Sequence, residues 1–218
     1  VKGAFLVVEA VPEKIEIKKD TFKKVDELAD AETIIVSNTS GLSISEIASV
    51  TNRQDKVMGA HFFYPAPVMK LLELVRGLVT SDETYDVVKE FAGKIGKTTV
   101  DAPEFPGFMV NRILVPMQNE AAFMVMEGSK PEDVDNAMKL GCNHPMGPIE
   151  LTDFVGIDTM LATMTGLYNG FHDSKYRPCP LLETMVKSGM LGKKTGQGFY
   201  KYDEKGNKIG STCLLYTS

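Results

Sequence analysis

The sequence predicts an α/β domain built on a mostly parallel sheet, followed by an all-α domain. Three observations carry that prediction. Short β-branched and apolar runs alternate with amphipathic segments over the first hundred residues, the pattern of strands joined by crossover helices. Strand signals almost vanish after Asp101. Between the two regimes lies APEFPG, residues 102–107, with the proline and glycine of a linker. Residues 1–104 therefore form the first domain, 105–202 the second, and 203–218 a tail of unknown origin.

Residues 5–10 (FLVVEA) read as a fully buried first strand. Pro12 stands where a first helical turn tolerates it. Ile15, Phe22, Val25 and Leu28 follow at helical spacing, with lysines and acids on the other face. Residues 33–36 make the second strand, Ile44–Ala48 a short helix, and 56–63 (KVMGAHFF) the third strand. After the proline-bounded YPAP turn, residues 71–75 (LLELV) make the fourth. Tyr85, Val88, Phe91 and Ile95 mark another amphipathic helix, and residues 97–101 the last strand. Pro106 opens a long helical segment, PGFMVNRILVPMQNEAAFMVMEG, which Pro116 is placed to kink. Ser129 and Glu132 form a capping box around Pro131, and two further helices cover residues 148–168 and 180–187.

With 218 residues, 43% hydrophobic and 24% charged, the chain has an ordinary globular profile, enough for one large domain or two modest ones. A net charge of -5 without a basic run argues against a nucleic-acid surface. No apolar run approaches the ~18 residues of a membrane span, and no signal-peptide pattern is visible. Cys142, Cys179 and Cys213 are too few and too far apart for a disulfide framework, which suits a reducing cytoplasm. His61, His144 and His172 lack metal-ligand spacing, so no metal site is expected. The chain enters a strand at once without an initiator methionine, as a fragment does.

The second strand ends in Ser37, Asn38, Thr39 and Ser40, just before the short helix. These residues either cap that helix or line a ligand site, because open α/β sheets bind ligands at the carboxyl ends of their strands. Capping needs only one or two of the four. His61 stands alone within MGAHFF and Glu73 within LLELV. A lone strand histidine is more often structural than catalytic, and a carboxylate in an apolar run is costly unless paired. Neighbouring strands carrying one of each point to a meeting. The carboxylate would fix the ring's tautomer and strengthen it as a general base near neutral pH. Asn111 either caps a neighbour or reaches into a cleft between the domains. GKKTGQG (192–198) has its lysines before the second glycine and no strand ahead of it, so it is no P-loop, and the G-x-G-x-x-G fingerprint is absent.

Taken together, VVEAVPE, SNTSGLSISEIA, HFFYPAPVMKLLELVRG, PGFMVNRILVPM, AMKLGCNHPMGPIELTDFVGID and GKKTGQGFYKY resemble the 3-hydroxyacyl-CoA dehydrogenase family, and most its bacterial 3-hydroxybutyryl-CoA branch. The resemblance spans about residues 5 to 202, in order and at compatible separations. It implies a Rossmann-type α/β domain, here only its C-terminal part with the first β-α-β missing, and then an all-α helical dimerisation domain, with substrate between them. It implies an oxidoreductase passing a hydride between a short-chain 3-hydroxyacyl-CoA, such as 3-hydroxybutyryl-CoA, and NAD, with NADP left open, in fatty-acid or butanoate metabolism. The family's catalytic set falls on Ser40, His61, Glu73 and Asn111. His61 takes the hydroxyl proton as hydride leaves C3, Glu73 orients and supports the imidazolium, and Ser40 and Asn111 hold the substrate oxygens. Cofactor contacts fall on Glu13, Lys18, Ser40, Tyr64 and Lys194, where Tyr64 replaces the asparagine of the usual HFFNP.

The partners implied are an acyl-CoA thioester and a second copy of the chain, with no nucleic acid, membrane or metal, in the cytoplasm. Two other readings stand beside this one. A non-catalytic binding or structural protein is opposed by the complete Ser40, His61, Glu73 and Asn111 set. A dimerisation module cut from a multifunctional fatty-acid oxidation protein is opposed by the small size. With its neighbour missing, the first strand is expected to form an exposed edge, so the chain should bind dinucleotide poorly and self-associate. The segment STCLLYTS after Gly210 matches nothing in the family.

Overall fold

The computed structural model describes residues 1–212, and Cys213 and the rest of the tail lie outside the described residues. The chain falls into two compact units, Val1–Met109 and Val110–Ser218.

The first unit contains β1 (Leu6–Glu9), α1 (Ile15–Leu28), β2 (Ile34–Ser37), α2 (Ile44–Ala48), β3 (Val57–Phe62), β4 (Leu71–Arg76), α3 (Asp82–Lys94) and β5 (Thr98–Ala102). Its five strands lie in the order β1-β2-β3-β4-β5. All neighbours run parallel except β3 and β4. That reversal follows from chain length, because residues 63–70 are fewer than the dozen or so that a parallel crossover needs. Alternate side chains of the central strands feed two cores. Ile35, Val57 and Val75 join Phe22, Ile44 and Ile47 on one face. Val36, Met58, Leu72 and Leu74 join Val88 on the other. Each such buried aliphatic contributes about 1.5–3 kcal/mol.

Three expectations for this unit need correction. The first strand is not fully buried: β1 is a sheet edge whose Val8 is 43% exposed, while its polar Glu9 is buried. Pro12 lies ahead of the helix rather than in its first turn, since α1 starts after the N-cap Lys14. The buried residues of α1 are Lys18, Phe22 and Asp26, so two charged side chains occupy the face expected to be apolar. Both are paired, Lys18 with Glu9 at 2.8 Å and Asp26 with Arg53 at 2.6 Å. Pairing is what makes burial tolerable.

The second unit contains α4 (Val110–Met126), α5 (Pro131–Cys142), α6 (Pro148–Val155), α7 (Ile157–Phe171), α8 (Pro180–Lys187), β6 (Tyr200–Tyr202) and β7 (Lys208–Ser211). Its core gathers Ala122, Ile149, Ile157, Met164, Leu182 and Phe199. The segment opened by Pro106 becomes helical only at Val110, because Gly107 (φ 73°) and Phe108 (φ 49°) are left-handed. Asn111 is therefore the second residue of α4 rather than five residues into the helix. The helix runs on through Pro116. Ser129 is not the N-cap of α5; Lys130 is, without a side-chain bond. Proline forces the residue before it into extended backbone, which places the cap immediately ahead of Pro131. The helix expected over 148–168 is two helices, broken at Gly156 (φ 104°). The unit also ends in a short antiparallel hairpin, β6 with β7, whose second strand falls within the expected tail.

Candidate active site

Strand register builds the centre of the site. In the antiparallel pair β3–β4, His61 lies directly opposite Glu73. Residues opposed in this way point to the same face. His61 Nδ1 and Glu73 Oε2 are 2.7 Å apart. Both side chains are buried, at 5% and 0% exposure for the residues. Glu73 Oε1 accepts a second bond, from the Met109 backbone N–H at 3.1 Å. The left-handed backbone at Gly107 and Phe108 turns the chain so that this N–H faces the carboxylate. A left-handed bulky residue carries strain of order 1–3 kcal/mol, which concentrates at sites where geometry matters. The imidazole is flanked by rings, Phe63 at 4.5 Å and Phe108 at 5.8 Å between centroids. With Nδ1 held by a carboxylate, Nε2 is the nitrogen left to exchange a proton.

The four polar residues that end and follow β2, Ser37 to Ser40, do not cap α2. Ser43 does, accepting from Glu46 N at 3.1 Å, and Glu104 accepts from Ser45 N at 2.6 Å. The four instead tie the sheet's carboxyl end together. Ser37 Oγ donates to Glu9 Oε2 at 2.6 Å. Asn38 Oδ1 accepts from Phe62 N at 2.9 Å, fixing the turn against the end of β3 one residue beyond His61. Thr39 Oγ1 donates to Glu13 Oε1 at 2.5 Å, and Ser40 N donates to the same oxygen at 2.8 Å. Gly41 backs onto Gly107, whose nitrogen would stand 2.8 Å from any added Cβ. The Ser40 turn and the turn that positions Glu73 therefore lie back to back. Because β2 and β3 are parallel, Ser40 and His61 occupy the same end of the sheet.

The remaining expected residues are placed as follows. Glu13 is 43% exposed at its side chain, at the mouth formed by β1 and β2. Tyr64 is 85% exposed just after β3. Lys18 is fully buried, its Nζ bonded to Glu9 and 3.3 Å from both Glu13 Oε2 and the Val11 carbonyl oxygen. In the second unit, Asn111 stands in the first turn of α4, and Lys194 pairs with Asp158 at the start of α7. Glu13 and Tyr64 are exposed and Ser40 is half-buried at the carboxyl end of the parallel strands β1–β3, where a dinucleotide's nicotinamide end would sit. Lys18, with its donors engaged internally, fits as support beneath them. Sequence reasoning missed Glu9, Phe108 and Met109. Asn38 it named only as one of the four polar residues beyond what capping requires, without its bond to the end of β3. Among the described residues, no cluster of three His, Cys, Asp or Glu could hold a metal, and no helix is long and apolar enough to cross a membrane.

Residues 1–105 match the family model described as 3-hydroxyacyl-CoA dehydrogenase, NAD binding domain. Residues 107–202 match 3-hydroxyacyl-CoA dehydrogenase, C-terminal domain. A probable 3-hydroxybutyryl-CoA dehydrogenase of Bacillus subtilis is 55% identical over 203 residues, covering 93% of this chain and 71% of that protein. The 3-hydroxybutyryl-CoA dehydrogenase of Clostridioides difficile is 52% identical over 93% of this chain and 73% of its own length. Among solved structures, the (S)-3-hydroxybutyryl-CoA dehydrogenase of Ralstonia eutropha is similar at a TM-score of 0.89 and 49% identity, covering 92% of this chain and 71% of that one.

Proposed function

The chain belongs to the 3-hydroxyacyl-CoA dehydrogenase family, and on that premise we propose that it interconverts a short-chain 3-hydroxyacyl-CoA, such as 3-hydroxybutyryl-CoA, and the 3-oxoacyl-CoA. The observation that carries the reading is the buried His61–Glu73 pair at 2.7 Å. A histidine with one ring nitrogen fixed by a buried carboxylate has a defined tautomer and one nitrogen for proton transfer, which is what removing a proton from an alcohol requires. NAD or NADP, when bound, supplies the hydride acceptor. Glu13, Ser40 and Tyr64 would hold it, with Lys18 beneath and Lys194 as a further contact by resemblance.

The chain's own residues do the rest. His61 Nε2 takes the hydroxyl proton. Glu73 supports the imidazolium that forms and holds the ring's orientation. The Phe63 and Phe108 rings keep water from the imidazole, so the carboxylate's field acts in a poorly screened place. Ser40 and Asn111 offer donors to the oxygen that becomes a carbonyl and to the thioester oxygen. A homodimer formed through the helical unit, in the cytoplasm, belongs to the same reading. Large exposed apolar side chains there, Ile113 and Leu140 among them, support the dimer. The net charge of -5 accords with a partner set that excludes nucleic acid. The test is NADH oxidation on addition of acetoacetyl-CoA, by protein expressed from its complete coding sequence. Turnover that depends on both compounds is expected. Thioester binding without turnover would favour a non-catalytic protein.

A further inference from the structure

Beneath the Ser40 turn lies a buried ion pair whose carboxylate, Glu9, has no part in the proposed chemistry. Glu9, the last residue of β1, is 4% exposed, and Lys18 is 0% exposed. Glu9 Oε1 accepts from Lys18 Nζ at 2.8 Å and from Val11 N at 2.6 Å, and Oε2 accepts from Ser37 Oγ at 2.6 Å. Lys18 Nζ in turn lies 3.3 Å from Glu13 Oε2. The other oxygen of Glu13 receives Thr39 Oγ1 and Ser40 N, and Thr39 Oγ1 receives the N–H groups of Gly41 and Leu42 at 3.2 and 2.9 Å. A continuous chain of ion pairs and hydrogen bonds thus runs from the end of β1 to both sides of Ser40.

Stability alone does not account for it. Well-packed apolar residues often replace a buried ion pair without loss, because desolvating two charges cancels much of their attraction. Direction is what the pair supplies. Both Glu9 oxygens are held from three sides, which fixes Lys18. The ammonium then anchors one oxygen of Glu13 and leaves the other aimed at Thr39 and Ser40. Glu13 is half exposed and would otherwise sample several rotamers.

We propose that Glu9 is a positioning residue that acts through Lys18 and Glu13 to set the Ser40 turn before any ligand arrives. The catalytic half of this proposal rests on the reading of Ser40 given above; the structural half does not. The test is hydrogen exchange, followed by mass spectrometry, with steady-state kinetics alongside, on parent, Glu9→Gln, Ser37→Ala and Glu13→Gln proteins. In Glu9→Gln, exchange across residues 39–42 rises about tenfold while β3 and β4 keep the parent rate. With it, kcat falls about tenfold and KM for the thioester moves less than about twofold, the signature of a misplaced reacting group. Glu13→Gln, which leaves the buried pair intact, loosens the same residues. Ser37→Ala frees one Glu9 oxygen, gives a smaller change of the same sign, and decides the matter should Glu9→Gln not fold. An unchanged turn in folded Glu9→Gln or Ser37→Ala overturns the proposal, as does a rise spread evenly over the first unit. A near-parent rate in Ser40→Ala overturns the role of Ser40 instead, with the exchange results unaffected.

Discussion

Glu73 has both oxygens committed, one to His61 Nδ1 and one to Met109 N–H. Glu73→Gln keeps the shape but removes the charge that supports the imidazolium, so kcat should fall about 10²-fold or more. A loss smaller than about threefold in steady-state kinetics would deny Glu73 that part. Gly41 carries a different constraint, a backbone contact with no room for a methyl group. Gly41→Ala should cost about 1–3 kcal/mol in denaturant unfolding, as overpacking does, and an unshifted midpoint would contradict the close approach. Residue by residue, the site was legible where polarity broke an apolar run. His61 and Glu73 each stand out in their strands. Glu9 and Lys18 do not, because a carboxylate ending a strand and one lysine among several in IEIKKDTFKK look like ordinary solvated groups. Only the fold shows that Lys18 faces inward while Lys19 is the one beside Glu46 at the surface.

The elements of the second unit are fastened by two buried aspartates. Asp153 on α6 accepts from the N–H groups of Phe199 and Tyr200 and from the Tyr202 hydroxyl. Asp135 on α5 accepts from Ile149 N, Glu150 N and the Tyr200 hydroxyl. Burial pushes the Asp153 carboxyl up to about 6, against those donors and with help from the Asp135 charge. The folded chain therefore holds this proton to higher pH than the unfolded chain, whose ordinary value is 3.8. The contribution is full below the unfolded value and lost as pH rises through about 6. At ~1.4 kcal/mol per unit it amounts to about 3 kcal/mol. Between pH 4 and pH 7, the unfolding free energy of Asp153→Asn should gain on the parent by about that amount. A pH-independent gap would contradict the buried titration. At this scale helices were legible and their breaks were not. LTDFVGID keeps helical spacing across Gly156, and a single glycine within a helical pattern gives no sign that its backbone is left-handed. The hairpin escaped because its strands are too short to set up an alternating pattern.

Over the whole molecule, alternation of strands and helices was enough to predict the sheet, but not the reversal of β4, which only the length of the 63–70 connection reveals. The same topology leaves β1 with one neighbour and Val8 in solvent. Exposed apolar edges template association. The 218-residue chain should form concentration-dependent species larger than a dimer in sedimentation velocity, and Val8→Lys should reduce them; identical profiles for the two would remove the edge as the cause. The functional reading depends on one proton acceptor, which a single substitution isolates. His61→Gln, expressed from the complete coding sequence and assayed by NADH-dependent reduction of acetoacetyl-CoA, should lose about 10²–10⁴-fold in kcat while binding the thioester within about twofold of the parent. A turnover within about threefold of the parent would contradict the assignment of His61 as the group that moves the proton.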